Sequence, residues 1–163
     1  MGLRSYKDSI KTAINILWDP KSAFQDLDNK TLEEVIAYYI RMLLLAAIVA
    51  GVFNIIFSFL RSTYLELFVN IDINYLIMIN YVIGRSSSII FLFLFVGTFI
   101  MFFISFLLKV IFRKIKYTDI LKGLMYSLTP MLLFGWIVLI PIPFIIWSLF
   151  LFIRWFYKYK KKP

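Results

Sequence analysis

The residues of this chain best placed to do chemistry are nine carboxylates: Asp8, Asp19, Asp26, Asp28, Glu33, Glu34, Glu66, Asp72 and Asp119. Asp26, Asp28, Glu33 and Glu34 stand close together, and a cluster of that kind can hold a hard cation or share a proton. Their spacing follows no metal-ligand pattern, so the cluster reads as solvated helix caps. The sequence holds no cysteine and no histidine. That removes thiolate nucleophiles, disulfides, zinc fingers, the Ser-His-Asp triad and imidazole metal sites. No catalytic, metal or cofactor constellation remains, and the chain reads as non-enzymatic.

The elements around these acids are overwhelmingly apolar. Of 163 residues, 62% are hydrophobic and 17% charged, and the mean hydropathy is +0.86. Soluble domains average roughly 45–50% apolar and about 25% charged. The composition therefore predicts an all-α integral membrane protein: a bundle of four transmembrane helices, with five as the alternative, behind an amino-terminal amphipathic helix. A bilayer core about 30 Å thick needs roughly 20 apolar helical residues. Met42 to Leu60 and Ser86 to Leu108 are free of charge, and so is the longer run Gly123 to Ile153. Pro141-Ile142-Pro143 interrupts that last run and predicts a tight turn. The expected spans are about 36–60, 86–108, 120–140 and 144–157, with Trp155 and Tyr157 at an interfacial end. Residues 64–84, punctuated by Asp72, Asn74 and Asn80, are expected to be interfacial or re-entrant. Intramembrane charges mark ion paths and proton relays. The spans hold none beyond Arg41 at an edge, and Asp72 is the one acid that can dip inward.

Basic residues orient the bundle, because cytoplasmic loops carry the excess of Lys and Arg. All of the 18 except Arg61 and Arg85 fall on one side if both termini are cytoplasmic. The expected location is the cell membrane, multi-pass. A fifth crossing would turn one half over. The net charge of +9 is not a nucleic-acid signature. It resides in the connection between spans two and three and in the tail 158–163 with Arg154, beside membrane helices. There it predicts attraction to anionic headgroups, with Arg113, Lys114 and Lys158 as a lipid-facing collar and amino-terminal acids meeting part of the remainder.

Residues 1–30 form an expected cytoplasmic segment, distinct from the transmembrane domain 31–157. Lys7, Asp8 and Lys11 interrupt any apolar core that a secretory signal would need. Leu3, Tyr6, Ile10, Ala13, Ile14 and Leu17 recur at helical spacing up to Trp18. They predict an amphipathic helix either in the headgroup layer or packed on the cytoplasmic ends of the spans. Asp19 before Pro20 is a helix-start signal. Thr31 with Glu34 fits a capping box.

Asp19-Pro20, Phe24 and Leu27 ahead of the first span, and Tyr117, Asp119, Lys122, Tyr126 and Pro130 entering the third, together resemble the Yip-domain family of polytopic membrane proteins, in its prokaryotic branch. The resemblance covers most of the chain. It implies a multi-span membrane protein whose eukaryotic relatives are associated with prenylated Rab-type GTPases and vesicle traffic. The family's Asp-Leu-Tyr-Gly-Pro type element is missing, which argues against GTPase binding. The family's usual five spans also exceed the four counted here.

In their own right, Thr118 is a candidate cap, Lys122 can pair with Asp119, and Pro130 must bend the helix at the Tyr126 carbonyl. Ser127 or Thr129 can help satisfy the carbonyls that this proline frees. Ala46, Ala47, Ala50 and Gly51 form a small-residue face that admits a close helix. The expected function is membrane organisation, or binding of lipid or of a protein partner that includes a second copy in the membrane. The alternative is a small transporter or channel subunit using the Pro130 kink, which requires a cavity joining Asn54, Ser127 and Thr129.

Overall fold

Two side-chain caps begin the fold. Asp19 accepts the amide of Ser22 at 3.3 Å, with Pro20 in the first helical turn. The Thr31 amide donates to Glu34 at 2.8 Å while the Glu34 amide donates to the Thr31 hydroxyl at 3.3 Å. In the computed structural model, which describes residues 3–69, 74–135 and 141–160, these caps start α2 (Pro20–Leu27) and α3 (Leu32–Val69) behind α1 (Leu3–Trp18). A continuous rod follows: α4 (Tyr75–Phe91), a π-helical turn at Leu92–Gly97, then α5 (Thr98–Ile111). Next come α6 (Tyr117–Ser127), α7 (Thr129–Phe134) and α8 (Pro141–Lys160). Every regular element among the described residues is helical.

Among the described residues, two stretches are long and apolar enough to cross a membrane, Leu32–Val69 and Leu94–Ile111. The other two expected spans are built differently. The stretch expected at 120–140 is divided at Leu128 between α6 and α7, and residues 136–140 lie outside those described. The break falls where Pro130 has no amide to offer the preceding turn. Pro141-Ile142-Pro143 does not form the turn expected of it. It is the first turn of α8, where a proline's missing amide is one the helix would leave unbonded anyway. The hairpin is nonetheless closed, since the Phe134 and Phe144 rings stack at 4.8 Å.

Residues 64–84 are not a separate element. Their first part completes α3, 70–73 lie outside the described residues, and the remainder opens α4. Asn74 is the N-terminal cap, its Oδ1 accepting the amides of Leu76 and Ile77. Thirty-eight residues of α3 reach about 57 Å, nearly twice a bilayer core. The α3–α4 pair is stitched by Asn54 Nδ2 to Ser86 Oγ at 2.9 Å and by Ser62 Oγ to Met78 Sδ at 2.7 Å. Ala46, Ala47, Ala50 and Gly51 are all buried, and Gly51 faces the Ile90 side chain.

The core lies at the opposite end. Phe24, Leu27, Val35, Tyr38, Met42, Ile120, Leu121, Met125, Tyr126 and Trp155 form one buried cluster with Ala13 and Ile16 of α1. Here α1 and α2 pack on the foot of α3 and on α6 and α7.

Candidate functional site

The two segments that carry the family resemblance meet at this end. The ring of Phe24, 2% exposed, lies 6.5 Å from that of Tyr126, which lies 5.0 Å from that of Tyr38. The Tyr38 hydroxyl and the Thr129 hydroxyl are 2.8 Å apart, next to Pro130. Leu27 is buried in the same cluster and Pro130 is fully buried. Tyr117 packs against its edge. Asp19 and Pro20 serve as the cap and first turn that aim Phe24 inward. The Asp19 carboxyl is held below its ordinary value, chiefly by the Ser22 side chain and then by the Ser22 amide.

Cations hold the segments together by backbone contacts. Lys122 Nζ donates to the Lys30 carbonyl at 2.5 Å. That bond fastens α6 to the turn before α3, a role the expected pairing with Asp119 did not suggest. Lys158 Nζ donates to the Phe24 carbonyl at 2.8 Å and pairs with Asp28 at 3.3 Å. An amino-terminal acid thus meets a tail cation, and Lys158 is committed within the chain. Arg41 docks α1 onto α3 through the Ser9 hydroxyl at 3.2 Å and the Ser5 carbonyl at 3.4 Å.

Arg113 and Lys114 are exposed on the α5–α6 connection. Lys109 stiffens that connection, donating to the carbonyls of Arg113 at 2.8 Å and Ile115 at 2.7 Å. Phe112 packs at a tilt against Phe156 of α8, with centroids 4.4 Å apart. The basic loop and the last turns of α8 are therefore neighbours. Thr118 is not the cap of α6: Lys116, with extended backbone and no side-chain bond, precedes its first residue.

Several residues of this end carry roles that single-residue reading missed. Trp155 is no interfacial anchor; it is 3% exposed. An ideal Cβ at Gly123 would sit 2.4 Å from its ring, so α8 can lie this close to α6 only because position 123 has no side chain. Neither residue signals this alone. In α1, Ser9, Ala13 and Ile16 are buried against the bundle while Ile10, Ile14 and Trp18 stay exposed, Trp18 at 85%. Lys7 and Lys11 flank that exposed stripe. The helix has one face for the protein and another left apolar, so the two expectations for it are not exclusive.

The polar groups required for a transport path have separate partners. Asn54 bonds Ser86, Ser127 bonds the Gly123 carbonyl of its own helix at 2.7 Å, and Thr129 meets Tyr38. Neither Ser127 nor Thr129 is turned to the Tyr126 carbonyl. Of the acidic cluster, Asp28 pairs with Lys158 and Glu34 with the Thr31 amide, which are structural tasks. No protein-family model, curated protein or solved structure matches this chain.

Proposed function

We propose that this is a non-enzymatic, multi-pass membrane protein of the Yip type, organising membrane or binding lipid and partners through its basic end. Four crossings, with both termini cytoplasmic, are formed by α3, by the α4–α5 rod, by α6 with α7, and by α8. The observation that carries this reading is the apolar girdle outside the core. Phe57, Leu60, Phe95, Phe99, Phe103 and Phe106 all face outward, Phe99 at 71% exposure. A soluble monomer rarely exposes contiguous apolar patches larger than a few hundred Å². Further support comes from the single end at which the basic loop, Arg154 and Lys158 gather with α1 and α2. Meeting of the two motif segments supports the family resemblance. The separate partners of Asn54, Ser127 and Thr129 weigh against the transporter alternative.

Single-cysteine labelling tests the topology, since the chain has no native cysteine. Lys7→Cys, Leu67→Cys and Tyr157→Cys all fall on exposed positions. An impermeant maleimide on intact cells should reach Leu67→Cys alone, and the other two only after the cytoplasmic face is opened. Labelling of Tyr157→Cys from outside would overturn the four-crossing arrangement.

A further inference from the structure

Between α2 and the last turns of α8 lies an open groove of about 440 Å³, lined by Lys21, Phe24, Gln25, Arg154, Tyr157 and Lys158. Lys21 and Gln25 stand one turn apart on α2, as Arg154 and Lys158 do on α8, so each wall presents an i, i+4 pair. Phe24 closes the floor. Lys158 is fixed in place by the Phe24 carbonyl and Asp28, whereas Lys21 and Arg154 are exposed. The nearby Asp19 carboxylate is turned to Ser22. Two exposed cations, an amide and a phenol around an open volume, with the Asp28-paired Lys158 at its edge, suit a phosphate. A guanidinium can grip two of its oxygens while ammonium groups act as point charges.

The outer surface of α8 indicates where such a phosphate would come from. Ile146, Phe150, Ile153 and Tyr157 are all exposed, and their spacing of four, three and four residues puts them on one stripe. The stripe runs into the groove at Tyr157. An acyl chain lying along it would bring its phosphate level with Arg154, and tyrosine suits that depth.

Resting on the membrane reading above, we propose that this groove binds the phosphate of an anionic phospholipid whose acyl chain lies on the Ile146–Phe150–Ile153 stripe. The test uses the full chain in phosphatidylcholine vesicles, with spin-labelled phosphatidylglycerol or spin-labelled phosphatidylcholine as the probe. Electron paramagnetic resonance separates lipid held by the protein from bulk lipid. The expected result is a larger held fraction for phosphatidylglycerol. Lys21→Gln with Arg154→Gln should lower that preference by about fivefold for each cation removed. Arg154→Lys should retain most of it, and Arg113→Gln with Lys114→Gln should move it less than the groove pair does.

An equal loss from the loop pair would show diffuse surface attraction and overturn the proposal. So would an inserted, folded protein with no preference for the anionic probe. Displacement of the held lipid by millimolar glycerol phosphate in water would overturn the lipid source in favour of a soluble phosphate. Failure of the wild-type chain to enter neutral vesicles at all would strike the membrane reading, and the proposal with it.

Discussion

The basic end and the projecting α3–α4 hairpin obey opposite rules. At the basic end, large side chains interdigitate: Phe24, Tyr38, Tyr126 and Trp155 are all buried, and lysines reach across to backbone carbonyls. Along the hairpin the buried residues are mostly small, Ala47, Ala50, Gly51, Ser62 and Ser86 beside Val82, and most of the large ones are turned outward. A segment surrounded by water and headgroups must enclose its own dry interior, which costs side-chain order repaid by apolar burial. A segment surrounded by hydrocarbon gains nothing by hiding phenylalanine. Its helices associate instead through close packing of small residues and a few polar contacts. On the membrane reading proposed above, this contrast marks where the surroundings of the chain change.

That contrast is broken most directly at Phe24. Phe24→Ala should cost about 3–5 kcal/mol, the range for a buried aromatic cut to alanine, because it empties the junction between α2 and Tyr126. Thermal unfolding in detergent, followed by far-ultraviolet circular dichroism, would measure it. The same truncation at Phe68, 73% exposed on the hairpin, should lie within about 0.5 kcal/mol of wild type. Equal losses at the two sites would erase the distinction.

Gly123 sharpens the contrast from the opposite direction, by adding an atom. Gly123→Ala places a methyl against the Trp155 ring and should cost about 1–3 kcal/mol, as overpacking does. A double-mutant cycle with Trp155→Leu should recover part of that loss, since the added methyl then meets a smaller neighbour. At Gly51 the nearest side-chain atom, on Ile90, would be 3.5 Å from an added Cβ, an ordinary contact. Gly51→Ala should be far milder.

Much of this architecture was legible in the residues, but only where the signal was local. Asp19 with Pro20 and Thr31 with Glu34 announce helix starts because a cap acts over three residues. The long apolar stretches carried the membrane reading for the same reason. The division of residues 64–84 between α3 and α4 was not legible because Asn74 and Asn80 look alike in a hydropathy scan. One caps α4 and the other is an exposed side chain on a continuing helix. Pro141-Ile142-Pro143 reads as a tight turn in the sequence, yet it opens α8, because prolines fit a helix's first turn as well as a turn. The α2–α8 groove had no signature at all. Lys21 and Arg154 lie more than a hundred residues apart in the chain, and their proximity exists only after α8 returns across α6.

Polar contacts should give smaller effects than packing in both regions, and they are graded too. Tyr38→Phe removes a buried hydroxyl and leaves Thr129 without that partner, which should cost about 1–3 kcal/mol. Tyr126→Phe should be nearly neutral, because the Tyr126 hydroxyl is buried without a hydrogen-bond partner among the described residues. In the hairpin, Asn54→Ala loses the bond to Ser86, and interhelical bonds of that kind average about 0.6 kcal/mol. The order Tyr38, Asn54, Tyr126 in unfolding experiments would place the polar contacts where the packing already points. A larger loss from Asn54 than from Tyr38 would show that the hairpin depends on its polar stitching.

The smallest effect concerns pH. The Asp19 carboxyl is held below its ordinary 3.8 by the Ser22 hydroxyl and amide, so the folded chain releases this proton more readily than the unfolded chain. Its contribution is then fully present above about pH 4 and lost as the pH falls through the lower folded-state value. The group is exposed, so the change should be slight, and the other carboxylates titrate in the same interval. Asp19→Asn separates them, because asparagine caps a helix about as well as aspartate but does not ionise there. Between pH 6 and 3 the variant should lose less stability than the wild type. Once the pH has fallen below the folded-state value, with the wild-type cap protonated, the two should converge. A wild-type slope no steeper than that of the variant would mean that the Asp19 charge does not anchor α2, leaving Lys158 and the Phe24 ring to hold that helix on the bundle.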